Sequence, residues 1–233
     1  MKKTILHVFN LKVELNKQTI LQKISFDVGE DETIAVIGPN GAGKTTLFRA
    51  LMGLVPYEGA VDWTPGVKIG YVPQKLSVSS DIPLTTKEFF ALKDSNTHEM
   101  ERVLHTVGFD IDKDKSKKIL GQKLGLLSGG ELQKILIAWA LIGHPDILLF
   151  DEPTSGVDVS SEGTIYSLLH HLQHEEKMSV ILISHELQIV YRYATKVICL
   201  NKESICFGPP DVVMDKENLQ KLFGSDVGFY HHH

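Results

Sequence analysis

The sequence predicts an α/β fold with a parallel central sheet, an antiparallel β opening and an inserted helical lobe. Three observations carry that expectation. The continuous apolar run Thr33 to Ile37 feeds directly into the glycine-rich segment Gly38-Pro39-Asn40-Gly41-Ala42-Gly43-Lys44-Thr45-Thr46. Two more short apolar runs, Asp146 to Phe150 and Ser179 to Ser184, are each followed by a helical pattern, which is how strands of a parallel sheet read. Between them, about Ser79 to Leu126 is more polar and carries helical rather than strand patterning.

The elements follow in chain order. Alternation at Ile5 to Leu15 and Ile24 to Val28 puts every second residue on a core face, so the opening is expected as antiparallel strands. Thr33 to Ile37 reads as a strand buried on both faces, and a helix is expected from about Lys44 to Met52. Within the polar stretch, helices are expected at Thr85 to Leu92 and Glu99 to Val107, broken by loops and the lysine-rich run Lys113 to Lys118. Leu132 to Ile142 is an apolar helical stretch. The expected organisation is one domain over residues 1–233, with residues 79–142 as an inserted helical subdomain. Neither an internal repeat nor a low-complexity linker interrupts it, apart from the terminal His231-His232-His233.

Composition narrows the class. At 233 residues, 42% hydrophobic and 23% charged, the chain can bury a substantial core and does not read as disordered. Its longest strongly apolar run, Ile135 to Gly143, is far short of a membrane span, and Met1 to His7 lacks the apolar core of a signal peptide, so a cytoplasmic chain is expected. A net charge of −5 argues against a general nucleic-acid binder, which needs a basic face. Two cysteines, Cys199 and Cys206, neither build a disulfide scaffold nor form a C-x-x-C metal pair; they read as small apolar fillers in or beside neighbouring strands, consistent with a reducing compartment. His170, His171 and His174 read as a polar helix face.

The chemistry begins at Gly38 to Thr46, which matches G-x-x-x-x-G-K-[ST] after a strand and at the start of a helix. Such a loop holds a nucleoside triphosphate. Glycines let the backbone wrap the phosphates with its N–H groups, Lys44 places a cation on the outer phosphates, and Thr45 offers a hydroxyl to Mg²⁺. Downstream, Ile147-Leu148-Leu149-Phe150-Asp151-Glu152 is an apolar strand ending in two carboxylates. Asp151 is placed to hold Mg²⁺ and Glu152 to polarise an attacking water; the plainer alternative is a strand-end turn with two solvated acids. Leu127-Ser128-Gly129-Gly130-Glu131 forms a second glycine-rich helix N-terminus, suited to an anion, although taken alone Ser-Gly-Gly is usually a helix cap.

Taken in this order, the chain resembles ABC-type ATPase subunits. Gln74, in Gly70-Tyr71-Val72-Pro73-Gln74, resembles the Q-loop glutamine; Ser155-Gly156-Val157-Asp158 resembles the D-loop; His185 resembles the switch histidine that contacts the γ-phosphate. The resemblance implies a P-loop NTPase (RecA-like) core with an antiparallel β subdomain and an inserted helical subdomain, using ATP and Mg²⁺. It implies ATP binding by Gly38 to Thr46 and Gln74, Mg²⁺ ligation by Thr45, Gln74 and Asp151, and catalysis by Glu152 and His185. Ser128, Gly129, Gly130 and Glu131 are implied to act in trans, on the nucleotide of a second copy in a head-to-tail dimer, with Asp158 in the D-loop. Two positions depart from the family pattern. Leu15 stands where an aromatic side chain usually stacks on adenine, and Lys134 where an arginine is common.

The segments Ile69 to Leu76, Pro153 to Val159, Cys199-Leu200-Asn201, Ile205-Cys206 and Phe229 to His233 are similar to the ATPase subunits of bacterial high-affinity zinc-uptake transporters, with manganese and iron relatives close. That similarity implies a peripheral subunit on the cytoplasmic face of the inner membrane, gripped by an integral membrane permease and served indirectly by a periplasmic or surface metal-binding protein, with no nucleic acid. Other expectations are an importer motor for manganese, iron chelate or haem, or a soluble ABC ATPase acting on nucleic acid or ribosomes. The last usually carries two cassettes or a long coiled-coil insertion, and this chain has neither. The terminal His231 to His233 read either as a truncated purification tag or, since similar subunits also end in histidines after an aromatic residue, as a regulatory zinc contact.

Overall fold

The alternation of the first thirty residues becomes a hairpin. Strand β1 (Thr4–Leu15) buries Leu6, Val8, Leu11 and Val13 and pairs antiparallel with β2 (Gln18–Gly29). Asn16 and Lys17 both take positive φ, 51° and 63°, which is the backbone a two-residue hairpin turn needs to match strand twist. The computed structural model describes residues 3–74, 76, 78–109, 113–152, 167–173 and 175–224. They divide into two compact units, residues 1–67 with 179–233, and residues 68–178.

In the first unit, β4 (Glu58–Trp63) completes a three-stranded antiparallel sheet in the order β2-β1-β4. In a separate sheet, β3 (Thr33–Ile37) lies between β7 (Ser179–Ile183) and β8 (Lys196–Asn201), parallel to both, and β9 (Glu203–Gly208) runs antiparallel to β8. Every residue of β3 and β7 is buried, so unbroken apolar runs were required there rather than alternation. Helix α1 (Lys44–Leu51) follows β3 and buries Leu47, Phe48 and Leu51. Helices α7 (Leu187–Tyr193), α8 (Pro210–Val213) and α9 (Lys216–Phe223) close the unit, with Val190, Leu219 and Leu222 packed around Ala35, Ile37 and Val197.

One expectation fails here. Cys199 and Cys206 do occupy neighbouring strands, but they are joined as a disulfide rather than sitting as separate fillers. The reason is register. They face each other directly across β8 and β9 with Cα atoms 4.8 Å apart, inside the span a disulfide bridges, and a count of two cysteines carries no information about that pairing.

The second unit pairs β5 (Ile69–Val72) in parallel with β6 (Ile147–Asp151), Val72 opposite Phe150. Its helices are α2 (Thr86–Ala91), α3 (Thr97–Thr106), α4 (Lys113–Gly121), α5 (Gly129–Leu141) and α6, described over 167–173. Thr85 starts α2 through a capping box with Glu88, and Asn96 caps α3 by accepting from the His98 N–H. The lysine-rich run expected as a break is instead helix α4. Lysine is a good helix former, and Ser116, Ile119 and Leu120 sit at helical spacing and are all buried, so one face anchors a helix whose other face is charged.

Glu99 ties α3 to the end of α5. Arg102 grips its carboxylate with two bonds of 2.7 Å, and the Gly143 N–H donates to it at 3.3 Å. The Arg102 hydrogen bonds, opposed by desolvation, hold the Glu99 carboxyl below its ordinary value of 4.5. A carboxylate depressed in the folded state contributes stability above its unfolded pKa, and that contribution is lost as pH falls through the folded pKa. Glu99→Gln is therefore expected to lower the melting temperature at pH 7, and the gap from the parent should narrow as pH drops below 4.5. A gap that stays constant through acid pH in thermal unfolding would remove the charge from this account.

Candidate functional site

Strand β3 ends at Ile37 and the backbone turns at once through Gly38, packed against the Leu200 carbonyl so closely that a Cβ would sit 2.0 Å from that oxygen. Gly43, at φ 97°, sits where a Cβ would meet the Leu21 side chain at 2.6 Å. Both positions exclude a side chain. The loop between them is held by its own contacts. The Ala42 N–H donates to the Pro39 carbonyl at 3.2 Å, and the Ala42 carbonyl accepts from the Lys202 N–H at 3.0 Å. Lys44 is buried at the first turn of α1, and its ammonium donates to the carbonyls of Gly38 at 2.9 Å and Pro39 at 3.1 Å. Asn40 and Gly41 are exposed at the loop tip, and Thr45 and Thr46 are half-buried in the helix's first turn.

His185 belongs to the same edge. Strand β7 runs parallel beside β3 with Ile183 opposite Val36, so Ser184 and His185 leave β7 level with the point where Gly38 leaves β3. His185 is exposed. In parallel α/β sheets this carboxyl edge is where ligands bind.

The second unit repeats the arrangement with different chemistry. Asp151 ends β6 and is 1% exposed, and Glu152 follows it half-buried with φ 48°. A left-handed backbone is uncommon outside glycine and asparagine, and where it occurs away from a turn it marks a position held by its surroundings. Gln74 lies two residues beyond β5, and its amide Nε2 donates to Glu152 Oε2 at 2.5 Å. The Tyr71 hydroxyl reaches Asp151 Oδ2 at 3.5 Å, a contact the sequence reading did not include. The β5–β6 register brings it about, with Tyr71 opposite Leu149 at the same end as the two acids, and no local pattern in the sequence signals that pairing.

Ser128 caps α5. Its hydroxyl donates to Glu131 Oε2 at 2.8 Å and accepts from the Glu131 N–H at 3.3 Å, while its own N–H donates to the same carboxylate oxygen at 2.9 Å. This capping box fixes the helix start. Ser128 and Gly129 are exposed, and Gly130 is half-buried. Leu15 is half-buried at the end of β1, and the Lys134 ammonium lies 5.5 Å from the centre of the Phe109 ring. Asp158 and its neighbours, and the terminal histidines, lie outside the described residues.

The histidines of the second unit gather elsewhere. His98, His105, His144 and His171 line a cleft of about 810 Å³ together with Glu101, Arg102 and Glu176. Among the described residues no three of His, Cys, Asp or Glu are grouped so as to hold a metal ion. His171 pairs with Glu175 at 3.1 Å and His170 is exposed, as a polar helix face requires; His174 lies outside the described residues. No helix among the described residues is long and apolar enough to cross a membrane.

The first unit thus presents a glycine-built concavity with a buried ammonium at its base, which fits a polyphosphate. The second presents a buried carboxylate, a second carboxylate and an amide oxygen, hard oxygen donors of the kind Mg²⁺ takes.

Known proteins are similar to this chain in sequence and fold. The zinc import ATP-binding protein of Haemophilus influenzae is 35% identical over 98% of this chain and 85% of its own length. The protein of the same name from Rickettsia bellii is 36% identical over 100% of this chain and 98% of its own. Among solved structures, a transporter provisionally classed as metal-chelate type, in an inward-facing conformation, superposes with a TM-score of 0.82 at 28% identity, over 95% of this chain and 89% of that one. The ADP form of an ATP-binding cassette, MJ1267, superposes at 0.77 with 21% identity, over 95% of this chain and 99% of that one, and shares the fold. The ABC transporter family model matches residues 21–155, from within β2 through the phosphate loop to just beyond Asp151 and Glu152. The chain belongs to the ABC transporter family.

Proposed function

We propose that this chain is the ATP-hydrolysing subunit of an ABC importer of divalent metal ions, zinc foremost, and that ATP drives two copies of it to close and so work a membrane permease. The observation that carries the zinc reading is similarity along nearly the whole chain to proteins named for zinc import. A metal-chelate importer is the second reading, favoured by the likeness to the transporter of that class.

The roles follow from the chemistry of each group. The N–H groups of Gly38 to Thr46 cradle the triphosphate, with Pro39, Asn40, Gly41 and Ala42 shaping the wrap and Lys44 offsetting the outer phosphate charge. Thr45, Gln74 and Asp151 would hold Mg²⁺, which would supply positive charge to offset that of the phosphates. Glu152 accepts a hydrogen bond from the attacking water and aligns it, after Gln74 has released its carboxylate. His185 donates to the γ-phosphate oxygen and so reports whether a triphosphate is present. In the second copy, Ser128, Gly129 and Gly130 present backbone N–H groups and a hydroxyl, kept in place by Glu131, and Asp158 of the D-loop lies in the same closed dimer. The exposure of Ser128 and Gly129 supports an intermolecular role.

Residues 79–142 form the inserted helical subdomain, and the permease grips this side of the chain. The assembly is peripheral to the cytoplasmic face of the membrane. Nucleotide moves the permease only to the extent that it binds the closed dimer more tightly than the open one.

The test is transport. The complex that copurifies with this chain from membranes, sealed into vesicles with the subunit and ATP in the lumen, is expected to accumulate ⁶⁵Zn in an ATP-dependent manner. Accumulation of manganese or a ferric chelate with no zinc uptake would move the assignment to the related importers. Copurification of nucleic acid or ribosomes in place of a permease would overturn it.

A further inference from the structure

We infer that Cys199 and Cys206 form a reversible redox staple behind the phosphate loop, and that closing it strengthens nucleotide binding while opening it weakens binding. The inference rests on the phosphate-loop reading given above and extends it to regulation.

Four observations converge on this hairpin. Cys199 is paired in register with Ile37, the residue immediately before Gly38. The next carbonyl along β8, that of Leu200, is the one packed against Gly38. At the turn between β8 and β9, the Lys202 N–H donates to Ala42 inside the loop at 3.0 Å, and the Lys202 carbonyl accepts from the Gln22 N–H at 2.8 Å. The ladder is irregular between Cys199 and Leu200, so the hairpin arm that carries these contacts begins at a register shift.

The only two cysteines in the chain therefore bridge the middle of the hairpin whose turn, among the described residues, touches the phosphate loop. The two are seven residues apart in sequence, so the closed loop is small and its effect on global stability is limited. Its effect is local. Strand β9 is an edge strand paired with β8 alone, and without the covalent tie Lys202 is kept against Ala42 by backbone hydrogen bonds, the Gln22–Glu203 contact and the packing of Phe207 on Phe26.

The sulfurs also differ in access. Cys199 is fully buried, and Cys206 is 8% exposed, so a small reagent reaches Cys206 first. In closing, a peroxide oxidises the Cys206 thiolate to a sulfenic acid; the Cys199 thiol displaces hydroxide from it to form the S–S bond. Overall the two thiols give up two protons and two electrons, and the peroxide O–O bond breaks to give two waters. In opening, a low-molecular-weight thiolate attacks Cys206, Cys199 leaves as the thiolate, and a second such thiol completes the exchange, yielding the oxidised small disulfide. Both free thiols fit the apolar surroundings of Ala35, Val197 and Leu219, so the reduced chain keeps its fold.

The experiment uses the full chain equilibrated in glutathione buffers of graded redox poise. Thiols are counted after denaturation, and MgATP affinity is measured by calorimetry. The expected result is that both thiols disappear in one step and that the oxidised chain binds MgATP about threefold to tenfold more tightly, the effect of one loop hydrogen bond kept or lost. Cys206→Ser should bind like the reduced chain at every poise. Two thiols that stay free in excess glutathione disulfide, or equal affinities in the two states, would overturn the inference. Backbone hydrogen exchange over residues 38–46 without nucleotide separates the two readings: slower exchange in the oxidised chain supports the staple even if the loop binds no ATP, whereas equal rates sink it. Lys44→Ala that binds ATP like the parent would sink the phosphate-loop reading alone.

Discussion

Glu152→Gln is expected to lower ATP hydrolysis by about 10²- to 10⁴-fold, the usual contribution of a positioned base, while leaving MgATP binding intact. The two side chains have the same shape, so the contact with Gln74, now at 2.5 Å from a carboxylate oxygen, can be kept through the amide oxygen. What is lost is the negative charge that draws a proton from water. Glu152 has a left-handed backbone, φ 48°, and glutamine can take the same conformation. Rapid turnover in this variant, measured by phosphate release, would remove Glu152 from the role assigned to it.

Lys44→Ala should act one step earlier, on binding. A charge-assisted hydrogen bond is worth about 1.5–3 kcal/mol, so affinity for ATP should fall roughly tenfold to hundredfold. The substitution also removes two bonds from the ammonium to the Gly38 and Pro39 carbonyls, which leaves the loop less well defined before nucleotide arrives. Calorimetry on the isolated chain reads this directly. Affinity equal to that of the parent would mean that the loop does not hold the phosphates.

The strands that frame the site were legible because burial on both faces leaves a simple mark. Thr33 to Ile37 and Ser179 to Ile183 are buried throughout, and both were expected as parallel strands to within a residue. The edges were less legible. Strand β4 has mixed burial without alternation and exists through its pairing with β1, and the first half of β2 breaks alternation across irregular register. Lys113 to Gly121 became a helix because three spaced residues bury one face, a signal hard to see in so short and polar a stretch, where only Ile119 and Leu120 are apolar side chains.

The same division runs through the candidate site. Motifs local in sequence, such as Gly38 to Thr46 and Ser128 to Glu131, could be read directly. Contacts between distant residues could not: Gln74 and Glu152 are 78 residues apart, and Tyr71 meets Asp151 across 80. The Cys199–Cys206 bond was missed for a related reason, since hairpin register decides whether two cysteines face each other.

In the proposed function ATP closes two copies of this chain onto each other, and the Glu152→Gln variant is expected to make that state long-lived. Its mass by sedimentation equilibrium is predicted to be that of a dimer with MgATP and a monomer with MgADP, and Ser128→Arg added to it should restore the monomer in both nucleotides. A variant that stays monomeric with saturating MgATP would contradict the account.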